Sequence, residues 1–149
     1  MSHFSQSTLI DAPVETVFAF HERPDALTLL SPPFPPVRLL SRTGRGIEAG
    51  AELELRIGPL RWLARHTRYE SNRLFVDEQI AGPFARWIHR HEFTPAGAQT
   101  RLTDRIEFQL PGGPLVNTLL AWPVKLALRN MFTHRHRVTR ELATHPPIS

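Results

Sequence analysis

Between residues 86 and 93 the chain alternates with period two. One face reads Trp87, His89, His91, Phe93, and the other reads Arg86, Ile88, Arg90, Glu92. The second face carries three charges and the first no permanent one. In a sheet with one wet side, the aromatic and imidazole set is therefore predicted to point inward. An ordinary core uses Val, Ile and Leu at such positions. Two histidines between two large aromatics predict the lining of a cavity instead, because buried imidazole nitrogens need partners. Residues 100–110 alternate more cleanly still. Leu102, Asp104, Ile106, Phe108 and Leu110 share a face on which Asp104 is the only charge.

The same reading along the chain predicts a first strand over 4–10. A helix follows, started by Asp11-Ala12-Pro13 with Pro13 near its first position and Val14, Val17, Phe18 and Phe20-His21 as its buried stripe. Arg23-Pro24-Asp25 breaks this helix and starts a second, short one. Ser31-Pro32-Pro33-Phe34-Pro35-Pro36 is too rich in proline for regular structure and reads as a stiff connector. Strand signals then crowd together at 37–43, 51–57, 61–70, 73–80, 85–93 and 100–110. The short turns between them imply antiparallel hairpins. After Pro111-Gly112-Gly113-Pro114 a long helix is predicted over 115–143. Its apolar stripe is Leu120, Val124, Ala127, Leu128, Met131, Phe132, Val138 and Leu142, and Pro123 should kink it or mark a restart near Ala121. Antiparallel strands with one amphipathic helix across their concave face make an α+β helix-grip fold: a curved sheet of about seven strands, two short helices and a long C-terminal helix over a central cavity.

Size and composition narrow this further. At 149 residues the chain is expected to be one domain, 1–149, with a loose tail at 144–149. It has no cysteine, which removes disulfides, thiolate catalysis and cysteine-type zinc sites. No apolar run reaches membrane-spanning length, and the first residues lack the pattern of a signal peptide, so a cytoplasmic protein is expected. Fourteen prolines and very few lysines have the look of a GC-rich bacterial proteome. The 18 Lys+Arg are nearly all Arg and outweigh 14 Asp+Glu, for a net charge of +4 and a pI near 10.9. That balance permits weak attraction to anions without identifying one.

Several local phrases resemble the START-like superfamily, also called SRPBCC, which includes polyketide cyclases, the birch-pollen allergen group and lipid-transfer domains. They are Ile10-Asp11-Ala12-Pro13-Val14-Glu15-Thr16-Val17-Phe18, Phe75-Val76-Asp77-Glu78-Gln79, Gly82-Pro83-Phe84-Ala85-Arg86-Trp87 with His89 and His91, and Leu102-Thr103-Asp104-Arg105-Ile106. The middle phrases look like the bacterial, stand-alone ligand-binding branch. The resemblance covers essentially the whole chain. It implies a deep, largely apolar pocket between the sheet and the long helix, and it turns Phe75, Asp77 and Gln79 inward. The residues alone leave that strand open, since Leu74, Val76 and Ile80 suggest the opposite face. A bulge before Gly82-Pro83 could switch its phase.

The expected ligand site has an apolar wall of Trp62, Phe75, Trp87, Phe93, Phe108, Leu128 and Phe132, and a polar end of His66, Asp77, His89, His91 and Asp104. The expected occupant is a small hydrophobic or amphipathic molecule, held by a carrier or sensor. An alternative is a cyclase or dehydratase for a polyketide-like substrate, with His89, His91 and Asp104 as candidate catalytic residues. A carboxylate that holds an imidazole in one tautomer lets it move protons near neutral pH. A metal on His89, His91, Asp104 and His66 is weaker, because His-x-His is short and common and the aromatics around it suit organic ligands. No metal and no cofactor is expected. Arg68 could enter the cavity only if its strand keeps the Trp62–His66 phase. The cluster His134-Arg135-His136-Arg137, with Arg129 and Arg140, reads as the wet face of the long helix rather than a nucleic-acid site. A protein or RNA partner there is the third reading, nucleic acid is not expected, and a homodimer stays open.

Overall fold

The computed structural model describes residues 1–144. Apart from Thr144, the expected loose tail lies outside the described residues. The element order is β1 (Ser2–Ile10), α1 (Val14–His21), α2 (Ala26–Leu30), β2 (Val37–Thr43), β3 (Glu52–Ile57), β4 (Leu60–Glu70), β5 (Leu74–Ala81), β6 (Arg86–Ala96), β7 (Gln99–Gln109) and α3 (Pro114–Ala143). All seven strands form one antiparallel sheet in the order β1-β7-β6-β5-β4-β3-β2. The two α-helices after β1 carry the chain from one sheet edge to the other, and hairpins then return it strand by strand. The helix-grip expectation holds.

Local chemistry explains the joints. Pro13 is the N-cap residue of α1 rather than its first helical position, and its carbonyl accepts from the Thr16 and Val17 amides. The carbonyl of Ala12 is buried but accepts the Thr100 hydroxyl at 2.8 Å, which ties this corner to β7. The β6–β7 hairpin is tighter than its proline suggested. Pro95 and Ala96 stay in the strand, and Gly97, at φ 64°, reverses the chain where a side chain would be strained.

Two β-bulges decide which side chains of β4 and β5 face inward. Leu63 pairs with Ala81 but Ala64 with Gln79, so Ile80 is the extra residue just before Gly82-Pro83. His66 pairs with Asp77 but Arg68 with Val76, so Thr67 is extra in β4. One extra residue flips the side chains beyond it. Phe75 and Tyr69, paired across the strands, both pack on Phe18 of α1. Arg68 is correspondingly exposed and pairs with Glu70 at 2.6 Å. It is no part of the cavity.

Helix α3 lies over the concave face and runs unbroken through Pro123. Pro123 and Leu119, whose carbonyl the proline cannot bond, are both exposed. Its buried face is Asn117, Ala121, Leu128, Phe132, His136, Thr139 and Ala143, whereas Leu120 is half in solvent. The apolar stripe thus located the face through Leu128 and Phe132 but missed its polar members. Each of those has a partner: Asn117 bonds the Leu110 amide and Ser2 hydroxyl, His136 bonds Asp104, and the Thr139 hydroxyl bonds the Arg135 carbonyl. The core gathers in two clusters. One holds Phe18, Phe75, Phe93 and Leu102 around α1, and the other holds Trp87, Ile106, Phe108 and Phe132 under α3. Burying each such side chain contributes roughly 1.5–3 kcal/mol. Among the described residues no helix is long and apolar enough to cross a membrane.

Candidate functional site

A cavity of about 390 Å³ opens between the sheet, α2 and α3, with walls from both core clusters. Its polar floor is built by strand register. One rung across the sheet is His66 (β4), Asp77 (β5) and His89 (β6). The next is Phe75, His91 and Asp104 (β7). Period-two alternation turns all six side chains to the concave side, so three imidazoles and two carboxylates meet there.

Asp104, 4% exposed, is the hub. The His89 Nε2–H donates to its Oδ1 at 2.8 Å, and the His136 Nε2–H, from α3, donates to its Oδ2 at 2.6 Å. His91 Nδ1 lies 3.2 Å from the same Oδ1. On its other side the His91 Nε2–H donates to Asp77 Oδ2 at 2.8 Å. Phe75 stacks on the His91 ring at 3.9 Å between centroids, and the His89 and His91 rings lie 3.6 Å apart.

The charges follow from these contacts. Burial opposes ionisation of His91, but its hydrogen bonds to Asp104 and Asp77 outweigh that and raise its pKa. His89 has a lowered pKa because burial, then the charge on His91, disfavour its imidazolium. Burial also opposes the Asp77 charge, yet the His91 hydrogen bond and the charges of His89 and His91 hold its carboxyl down near 2. Asp104 is held well below the usual range in the same way, by His136, His89 and His91 against burial. The contacts therefore favour the protonated ring at His91, set between two carboxylates, and the neutral ring at His89.

Ten of the twelve ligand-site residues expected from sequence line the cavity: Trp62, His66, Phe75, Asp77, Trp87, His89, His91, Asp104, Leu128 and Phe132. Phe93 and Phe108 do not. Both point inward, but α1 covers Phe93 (Phe18 at 5.0 Å) and the N-terminal half of α3 covers Phe108, so they are solid core. His136 needs the opposite correction. It was expected on the wet face, yet it is 2% exposed and bonded to Asp104. Its spacing of four from Phe132, itself four from Leu128, was the signal that could have placed it. His21, Arg23, Arg42, Phe84, Met131 and Arg135 also line the cavity, though none was among the expected ligand-site residues, and Arg135, like His136, was expected on the wet face.

The ligand atoms of Asp77, His89 and His91 lie within 4.8 Å of one another, the set best placed to take a metal. It uses Asp77 where the sequence pointed to Asp104. An ion about 2 Å from each donor would set them about 3–3.5 Å apart. The 2.8 Å from His91 Nε2 to Asp77 Oδ2 is instead the span of one proton.

The profile of the family described as "Polyketide cyclase / dehydrase and lipid transport" matches residues 10–137. The chain belongs to this START-like (SRPBCC) family. No curated protein sequence matches it. Its fold is similar to that of a START superfamily protein from Mycobacterium smegmatis, at 18% identity and TM-score 0.65, covering 93% of this chain and 94% of that one. It is also similar to norcoclaurine synthase from Thalictrum flavum, solved with dopamine and hydroxybenzaldehyde, at 11% identity and TM-score 0.75, covering 99% and 89%. A nucleoside-diphosphate sugar epimerase from Corynebacterium glutamicum matches at 25% identity and TM-score 0.75, over 93% of this chain but only 28% of that one.

Proposed function

We propose that this START-like protein binds a small amphipathic molecule in the cavity, as a carrier or sensor. The observation that supports this most is the pairing of volume with chemistry. About 390 Å³ falls within the range of small-molecule sites, and its walls are mainly apolar with a few converging polar groups. Trp62 and Trp87 meet edge to face at 5.0 Å, and Phe84 closes on both. This corner offers a rigid aromatic seat. At the floor, His66 Nδ1 and His136 Nδ1 are buried without a partner, and a polar group of the ligand would satisfy them.

The experiment is a fluorescence titration with N-phenyl-1-naphthylamine, a neutral apolar fluorophore. Wild type should bind it. Trp87→Ala should weaken it about tenfold, since truncating a buried aromatic anchor is typically worth more than 1 kcal/mol. Unchanged affinity in a folded variant would place binding elsewhere, and no binding by wild type would remove the reading.

A second reading, acid/base catalysis on a polyketide-like substrate, draws on the family's description and on the His89–Asp104 pair at 2.8 Å. His91 is ill suited to be its base, because carboxylates face both of its ring nitrogens. His89, with Nε2 on Asp104 but Nδ1 at a looser 3.8 Å from Asp77 Oδ2, is the better candidate. Turnover of a β-keto substrate by wild type that disappears in His89→Gln, with fluorophore affinity retained, would favour this reading over the carrier.

A further inference from the structure

Three arginines line the cavity: Arg23, Arg42 and Arg135. They come from different elements that converge on α2. Arg42 of β2 donates to the Pro24 carbonyl at 3.0 Å, in the segment joining α1 and α2, and α2 packs on α3, which carries Arg135. Arg23 already has its counter-ion, since it grips Asp25 through two hydrogen bonds of 2.9 and 2.7 Å. Arg42 and Arg135 have none among the described residues. The Nε of each is buried without a hydrogen-bond partner. The buried carboxylates nearby are committed elsewhere, with Asp104 on His89 and His136 and Asp77 on His91. The Arg135 guanidinium has instead the face of Phe132, 5.4 Å from the ring centroid.

A guanidinium whose Nε is buried without a partner and that lacks an anion is costly, and a cavity wall is a place where a ligand can supply the anion. Resting on the binding reading above, we infer that the ligand carries an anionic head, a carboxylate, sulfonate or phosphate, which pairs with Arg135 and is flanked by Arg42. The apolar body of the molecule then lies toward Trp62, Phe84 and Trp87. Such a pair forms in a site screened from water, so it is worth more than a surface ion pair and less sensitive to salt. The planar fork of Arg135 suits a two-oxygen contact that a lysine would make only as a point charge.

Two fluorophores that differ only by the anion test this directly. 8-Anilinonaphthalene-1-sulfonate is N-phenyl-1-naphthylamine with one sulfonate added. Wild type should bind the sulfonate at least about tenfold more tightly, the size expected for a hydrogen bond to a charged group. Arg135→Gln should abolish that advantage, so that the variant binds the two fluorophores with similar affinity. Arg135→Lys, which keeps the charge, should retain part of it, and Arg42→Gln should reduce it less than Arg135→Gln. Equal binding of the two fluorophores by wild type would overturn the inference while leaving the binding reading intact. So would an advantage that survives Arg135→Gln in folded protein. Failure of both fluorophores to bind would overturn the binding reading and this inference with it.

Discussion

Replacing Asp104 with alanine is expected to destabilise the protein by about 3–5 kcal/mol, the typical loss when one partner of a buried ion-pair network is removed. Asp104 accepts from His89 and from His136 and lies 3.2 Å from His91, all four side chains being nearly or fully buried. Without the carboxylate, two N–H groups lose their acceptor at once, and His91 loses one of the two charges that favour its imidazolium. The His136 contact is also the polar tie between α3 and β7, so the helix should loosen. Asp104→Asn should fall between the two, because one amide oxygen can serve one imidazole while its NH2 faces the other. Urea unfolding at pH 7 measures the loss, and hydrogen exchange along α3 locates it. A change under about 1 kcal/mol for Asp104→Ala would mean that the imidazoles find other acceptors, and the hub role would fall.

The legible parts of this molecule are those written in local periodicity. β6 and β7 declared their inward faces through Trp87, His89, His91 and Leu102, Asp104, Ile106, and register then carried His91 opposite Asp104. Alternation names a face but not what covers it. Phe93 and Phe108 share the inward faces of Trp87 and Asp104, yet helices α1 and α3 cover them and leave only their neighbours to the cavity. Bulges are harder, since one extra residue at Thr67 carries no compositional mark and decides that Tyr69, not Arg68, packs inward. His136 was hidden for a different reason. A search for apolar periodicity discounts a histidine in a run of charges, and the partner that makes its burial favourable, Asp104, is 32 residues away in sequence. Arg135 was hidden the same way, one position earlier in the same run.

Acid should weaken the protein well above the range where its carboxylates titrate, with His21 as a principal cause. His21 is 8% exposed at the end of α1, packed edge-on to Phe93, and its Nδ1–H donates to the Val17 carbonyl at 2.8 Å. Burial lowers its pKa to about 4, against partial support from the Val17 bond. His91 and Arg135 push it down further and Asp104 pushes it up. The unfolded chain binds the proton near pH 6.5, and the folded one only near pH 4. Stability from this group is therefore complete above pH 6.5, falls as the pH drops through the window, and levels off below pH 4. The gap corresponds to about 3 kcal/mol. His66 and His89, also lowered by burial, act in the same direction, while His91, raised by its carboxylates, acts against it. His21→Leu isolates the effect, because leucine fills similar space and cannot take a proton. Urea unfolding at a series of pH values between 7 and 4 should show a steep decline in wild type and a shallower one in the variant. Equal slopes would assign the acid sensitivity to the floor of the cavity instead of to α1.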